Sequence, residues 1–236
     1  MIETPPGETL IRTARPADAD AVCPMLIASE PETYDYVYRD DGPGPEAFVR
    51  YEFLSGRGFG GWHNVTVAER AGTVVGVGCL YAGSAGGVLQ PYGRLLRGSL
   101  FNMLRVYRLS VWRYMARAQH LGSIMRAPSG REAYLSAFLV DSRMRGQGIG
   151  TAMLRHWVTQ ARRHGCDALW LDISETNTHA EALYLSLGFE LVGTRPFSGH
   201  REGFPVQGTK QMVLRLTGRT LLDAGAPTSE PQAGRA

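Results

Sequence analysis

The apolar positions of this chain follow two periods in turn. Short runs rich in β-branched residues occupy 9–13, 64–69, 73–81, 133–140, 168–174, 189–193 and 211–216, and these predict strands. Between them the period lengthens to that of a helix. Ile149, Met153, Leu154, Trp157, Val158 and Ala161 recur at three- and four-residue spacing across 148–164, with Gly165 placed as a left-handed cap. Across 178–187, Thr178 and Glu181 have the spacing of a capping box and Gly188 ends the helix. Pro16, Asp18 and Asp20 start a first helix after the first strand, and the runs 64–69 and 73–81 flank Ala71-Gly72 as a hairpin. The alternation predicts a mixed α/β domain, six to seven strands flanked by helices.

Two regions break the rhythm. Residues 31–63 carry Pro, Gly, Asp and Tyr in loop-like clusters around a short helix at 45–54, and are expected to be irregular. Residues 84–131 hold eight arginines (94, 97, 105, 108, 113, 117, 126 and 131) and no Asp or Glu. Leu95, Leu96, Leu100, Phe101, Leu104, Tyr107, Val111, Trp112 and Met115 predict a helix there, capped by Ser99 and running to Gln119, with a break near Gly98. Arg94, Arg97, Arg105 and Arg108 share one face while Arg113 and Arg117 lie on another, so no single basic stripe runs the whole length. The rest of the chain is net acidic, and these arginines are expected to pair with its carboxylates, making the segment a lid or a homodimer-forming element. One domain is expected over 1–221 with 84–131 inserted in it. The tail 222–236, rich in Ala, Pro, Gly and Ser, is expected to be disordered.

Composition adds limits. A formal charge of +3 over 236 residues does not by itself call for nucleic acid. Three dispersed cysteines (Cys23, Cys79, Cys166) make neither a disulfide framework nor a zinc cluster, so no metal is expected and a reducing compartment is. The opening residues lack the basic patch and apolar run of a signal peptide, and no apolar stretch reaches the roughly 18 residues of a membrane span. The expectation is a cytoplasmic protein with no membrane partner.

The stretch Arg143-Met144-Arg145-Gly146-Gln147-Gly148-Ile149-Gly150-Thr151 lies between a predicted strand and a predicted helix start. Unpaired N–H groups and partial positive charge gather at such a start, and glycines let a pyrophosphate come close. A P-loop would require a Gly-Lys-Ser/Thr that is absent. A dinucleotide fingerprint would want Gly in place of Thr151, although Asp172 stands about 20 residues on, where that motif places an acid. Dinucleotide binding therefore remains as a weakened alternative.

The next segment separates these readings. Arg145-x-x-Gly148-x-Gly150, followed by Asn177-x-x-Ala180-x-x-Leu183-Tyr184-x-x-x-Gly188-Phe189, resembles the acetyl-CoA-binding core of the GNAT N-acetyltransferases. The resemblance covers 133–192 closely and extends to 11–20. It implies the GNAT fold, with strand 133–140 splayed from 168–174, and acetyl-CoA as cofactor. Its pyrophosphate would lie on Gly146, Gln147, Gly148, Ile149, Gly150 and Thr151 beside Arg145, and its pantetheine arm along Phe138, Leu139 and Val140. Asn177 looks like the family's cofactor-contacting Asn, and Tyr184 like the acid that protonates the departing thiolate. The implied reaction is direct transfer of an acetyl or other short acyl group to a primary amine in a ternary complex. A CoA-binding module without chemistry is the alternative.

Acyl transfer needs a neutral amine, so a base must take a proton from a group of reference pKa about 8 to 10.4. Asp172, which interrupts the apolar run 168–171, is the candidate, acting through water because Asp is short. Glu69, Glu132, Glu175 and His179 are weaker choices. A backbone N–H near Leu139 or Val140 could stabilise an oxyanion if the strand bulges there. The positive insert favours an acceptor bearing carboxylate or phosphate groups.

Overall fold

The computed structural model describes residues 8–40, 42–83, 92–122 and 124–223. Its sheet has seven strands: β1 (Thr9–Thr13), β2 (Val65–Arg70), β3 (Thr73–Ala82), β4 (Glu132–Val140), β5 (Ala168–Ser174), β6 (Glu190–Arg195) and β7 (Thr209–Arg215), in the order β1-β2-β3-β4-β5-β7-β6. All neighbouring strands except β4 and β5 pair antiparallel, and a short turn joins β2 to β3. Between β2 and β3, Ala71 (φ 48°) and Gly72 (φ 76°) supply the two left-handed residues that a tight hairpin requires. The one parallel pair, β4 with β5, needs a crossover, and α6 (Ile149–Arg163) provides it. This topology does not give the parallel, doubly wound sheet of a dinucleotide-binding domain.

The crossover helix buries the stripe read from its period. Met153, Leu154, Trp157, Val158 and Ala161 pack with Leu135, Leu169 and Met212 on one face of the sheet. Each large side chain so buried contributes about 1.5–3 kcal/mol. On the other face, α1 (Ala19–Ser29) and α3 (Gly44–Ser55) set Val22, Leu26, Phe48 and Phe53 against Val65, Val77 and Tyr134. Both layers together fix the position of β4 and β5.

Residues 31–63 are not irregular, as their composition suggested. Pro31 opens α2 (Pro31–Tyr38), Pro45 lies in the first turn of α3, and Gly56 (φ 65°) closes α3. Proline costs nothing where the N–H has no helical partner, so these residues are helix starts and stops.

The insert also departs from expectation. Its first helix, α4 (Tyr92–Tyr107), runs unbroken through Gly98, and Ser99 is buried inside it rather than capping it. A Cβ on Gly98 would lie 2.5 Å from the Gly58 backbone nitrogen, so this glycine permits close packing. The break comes at Arg108, whose φ is 49°, ahead of α5 (Val111–Leu121). Several arginines find carboxylates as expected: Arg117 and Arg113 reach Asp40 at 3.2 and 3.6 Å, Arg126 reaches Glu132 at 2.6 Å and Arg131 reaches Asp167 at 3.6 Å. The outer surface leaves Leu104, Leu109 and Trp112 exposed.

At the other end, Leu222 is buried and Asp223 pairs with Arg162 at 2.6 Å, so residues read as the start of a tail dock on α6. The remainder of that tail, 224–236, and 84–91 of the insert lie outside the described residues. No described helix is long and apolar enough to cross a membrane, and no group of three or more potential metal ligands occurs among the described residues.

Candidate active site

The parallel pairing of β4 with β5 stops early. It runs from Glu132↔Ala168 to Leu135↔Leu171, after which β5 continues on β7 as far as Ser174↔Thr209 while β4 stays with β3. Just past that point β4 bulges. Cys79 faces Ser136 and Val77 faces Leu139, so Ala137 and Phe138 together stand opposite Gly78, with Ala137 at φ 52°. A left-handed residue with a side chain costs roughly 1–2 kcal/mol, and the surrounding layers must hold it. Opposite the bulge, Gly78 lets the Trp157 ring come close, since a Cβ there would lie 2.5 Å from it, and Phe138 packs edge-on to that ring with centroids 4.9 Å apart. The bulge lies earlier on the strand than the expected position near Leu139 or Val140, which stay paired with Val77 and Gly76.

A cavity of about 310 Å³ fills the space where the strands part. Leu135, Ser136, Ala137 and Phe138 form one wall and Leu171 to Ser174 the other, while Asn177, Ala180 and Tyr184 of α7 (Thr178–Ser186) close one end. Leu139 and Val140 follow on β4, half-buried and paired with β3.

The start of α6 is open beside it. Gly146 (φ 74°) and Gly148 (φ 76°) adopt left-handed conformations, and a Cβ on either would meet nothing within 4 Å. The first helical bond runs from Ala152 N–H to the Gly148 carbonyl at 2.9 Å, so the N–H groups of Ile149, Gly150 and Thr151 lie outside the helix ladder. No acid occupies the first turn, Arg145 is exposed, and Asp141 is neutralised by Arg143 at 2.7 Å. Gln147 is tied to Arg70 through its side-chain carbonyl. These features fit a diphosphate: accessible donors, left-handed glycines and a helix dipole with its positive end outward.

Asn177 has a structural task of its own. Its Oδ1 accepts from Ala180 N–H at 3.1 Å and so caps α7, which replaces the expected capping box. Glu181 instead pairs with Lys210 at 2.6 Å. Tyr184 is buried with its ring edge-on to Phe189 at 5.2 Å, and burial raises its phenol pKa above the ordinary value. It therefore packs and lines the cavity at once.

Asp172 lines the same cavity, with both oxygens engaged. Oδ2 accepts from the Tyr134 hydroxyl at 2.8 Å and the Arg126 N–H at 3.3 Å, and Oδ1 accepts from Gln211 Nε2 at 3.1 Å. Desolvation raises its pKa, and these bonds together with the field of Arg195 hold the rise in check. Glu69 and Glu132 are bound to Arg12 and Arg126, and neither they nor Glu175 nor His179 line the cavity.

Sequence reasoning missed Glu30. This residue ends α1 and precedes α2, and its side chain caps neither helix. It lines the cavity opposite Asp172's strand, and desolvation raises its pKa, partly offset by the Ala137 backbone N–H at the bulge and reinforced by the charge of Asp172. One signal was available: Glu is a poor choice at both cap positions, so its place there has to be explained by something other than helix stability.

Among the described residues the insert contributes Ile124 and Met125 to this cavity, and no described arginine, lysine or histidine lines it.

Comparison with known proteins agrees with this geometry. Residues 30–189 match the acetyltransferase (GNAT) family, over more than half of the chain. Spermine/spermidine N(1)-acetyltransferase from Bacillus subtilis is 35% identical over 69 residues, covering 29% of this chain and 45% of that protein. The ribosomal protein bS18 alanine N-acetyltransferase of Escherichia coli is 41% identical over 58 residues, covering 25% of this chain and 39% of that protein. The chain thus spans less than half the length of these relatives. The Salmonella typhimurium protein yncA, solved with its cofactor acetyl-CoA, superposes with a TM-score of 0.53 at 18% identity, covering 90% of this chain and 96% of that one, a likeness of fold.

Proposed function

Because the chain belongs to the GNAT family of acetyltransferases, we propose that it is an N-acetyltransferase that moves an acetyl group from acetyl-CoA to a primary amine held in the same cavity. The observation that carries this reading is the continuity of two features: the open, glycine-bearing start of α6 and the cavity where β4 leaves β5, with Tyr184 on its wall. Acetyl-CoA supplies an activated acetyl thioester. In net terms an N–C bond would form at the amine as the thioester C–S bond breaks; the ammonium nitrogen gives up two of its three protons, one passing through the base to water and one balanced by the proton that sulfur gains.

The chain's own groups divide this work. Backbone N–H groups from Gly146 to Thr151, with Arg145, hold the diphosphate, and the free edge of β4 from Phe138 to Val140 holds the pantetheine arm. Tyr184 keeps its proton at neutral pH, since burial raises an already high pKa, and donates it to sulfur. Glu30 accepts the acceptor ammonium's proton directly. Asp172, whose oxygens already accept three bonds, assists through its charge and through water. At the bulge the Ala137 N–H bonds Glu30, which leaves the Phe138 N–H as the donor proposed for the developing oxyanion. Three buried free cysteines support a reducing, cytoplasmic setting.

Calorimetric titration of acetyl-CoA and of NAD, with Gly148→Glu alongside, tests the reading. Binding of acetyl-CoA that the variant loses, together with thiol release in the presence of an amine, is expected. Folded wild-type protein that binds no acetyl-CoA, or prefers NAD, overturns it.

A further inference from the structure

The cavity lining divides into two chemically different groups. Leu135 to Phe138, Asn177, Ala180 and Tyr184 lie on the elements that carry the proposed cofactor contacts. The rest is Glu30, Pro31, Glu32 and Thr33 at the α1–α2 junction, Asp172 and Ile173 of β5, and Ile124, Met125 and Val206 from flanking segments. Three acidic residues therefore line the cavity, and no basic residue does among the described residues. Arg195 is close enough for Asp172 to feel its charge, but it is not a wall residue.

A monoamine accounts for only part of this charge. Its ammonium loses a proton before it can attack, and one carboxylate suffices to take it. The others remain as negative charge, Asp172 partly desolvated and Glu32 exposed, and that charge favours a cation beside it. Asp172 is fixed by Tyr134, Gln211 and the Arg126 N–H, so it presents a stationary charge within the cavity. Glu32 is exposed at the junction with α2 and supplies charge where an acceptor would enter. Pro31, Ile124, Met125, Val206 and Ile173 give the space between them an apolar lining suited to methylene groups.

Resting on the acetyl-transfer reading above, we propose that the acceptor is an aliphatic diamine or polyamine: one amino group reacts as the neutral amine while a second stays protonated against the carboxylates of Glu32 and Asp172. Glu32 on this account sets specificity and does not touch the reacting atoms.

The test compares 1,4-diaminobutane and spermidine with butylamine, with γ-aminobutyrate and with a short peptide bearing a free N-terminus, by thiol release at fixed acetyl-CoA. The two polyamines are expected to exceed butylamine in kcat/KM by about tenfold or more, well beyond the twofold statistical advantage of two amino groups. γ-Aminobutyrate, whose carboxylate would meet like charge, is expected to be the poorest acceptor. Glu32→Gln should shrink the diamine-to-monoamine ratio severalfold through KM. A ratio near two, equal use of γ-aminobutyrate, or a peptide that outcompetes the diamines overturns this proposal and leaves acetyl transfer standing. Failure of acetyl-CoA to bind overturns both.

Discussion

The Tyr134 hydroxyl donates to Asp172 Oδ2 at 2.8 Å, tying β4 to β5 at the level where the two strands part. Its removal has a signed consequence. The bond holds the Asp172 pKa down against desolvation, so in Tyr134→Phe the carboxylate takes up its proton at higher pH. Whether Asp172 relays a proton or only attracts an ammonium, its charge is then lost earlier as pH falls. The acid limb of kcat/KM should move upward, with a stability loss of about 1 kcal/mol from the missing hydrogen bond. An unmoved acid limb would separate Asp172 from the reaction.

Glu52 makes a second pH dependence, in stability. It is buried where α3 meets α4, accepting from Ser99, from the Gly60 N–H at 3.1 Å and from Asn102 Nδ2 at 3.4 Å, and burial pushes its pKa up to about 7. A carboxyl whose folded pKa exceeds its unfolded value of about 4.5 contributes stability that is fully present below the unfolded value and lost as pH rises through 7. Between pH 4.5 and 8 the loss is on the order of 3 kcal/mol from this group alone. Glu52→Gln keeps an acceptor for Gly60 and should flatten that part of the profile. Denaturant titrations from pH 5 to 9 measure both; parallel profiles for the two proteins would contradict the assignment.

How much of this was legible in the sequence depended on whether a signal was local. The stripe of α6 and its closing Gly165 announce their own period and punctuation, and the β4–β5–α6 unit could be placed from them, whereas the cap of α7 was read at Thr178 and lies at Asn177. Gly98 could not be read, because a glycine that breaks a helix and one that lets a loop approach it look alike; only the position of Gly58 decides. Pro31 and Pro45 were ambiguous in the same way, as helix starts or loop residues. Glu30 left only a weak local signal, its poor fit to a cap position, and for a different reason. It meets Asp172's cavity through the packing of α1 on the sheet, a contact across more than a hundred residues with no spacing to betray it.

Gly78 stands opposite the bulge with Trp157 against it, and its replacement tests whether that packing fixes the strand. In Gly78→Ala the new Cβ falls 2.5 and 2.6 Å from two atoms of the Trp157 ring. That ring is fully buried and held by its Nε1 donating to Thr66 Oγ1 at 3.1 Å, so it cannot swing away without losing a bond. Overpacking of this kind costs about 1–3 kcal/mol. Phe138, which rests on Trp157, would shift with it, and acetyl-CoA affinity should fall by about tenfold in protein that still unfolds cooperatively. Unchanged stability and affinity would mean that the strand relaxes freely, and that the bulge is not fixed from beneath.

Tyr184 and Glu30 stand at the two ends of the proposed proton movement, and paired variants distinguish chemistry from packing. Tyr184→Phe leaves the ring on Phe189 and removes only the hydroxyl, so stability and acetyl-CoA binding should hold while kcat falls by about 10²-fold, the scale of a lost general acid. Glu30→Gln removes a proton acceptor of raised pKa, and its kcat should fall similarly at neutral pH. The loss in this second variant should shrink as pH rises and more of the amine is neutral in solution, whereas the Tyr184→Phe loss should not. A Tyr184→Phe enzyme with wild-type kcat would reduce that residue to packing. A Glu30→Gln deficit independent of pH would move the base to another group, with Asp172 the next to test.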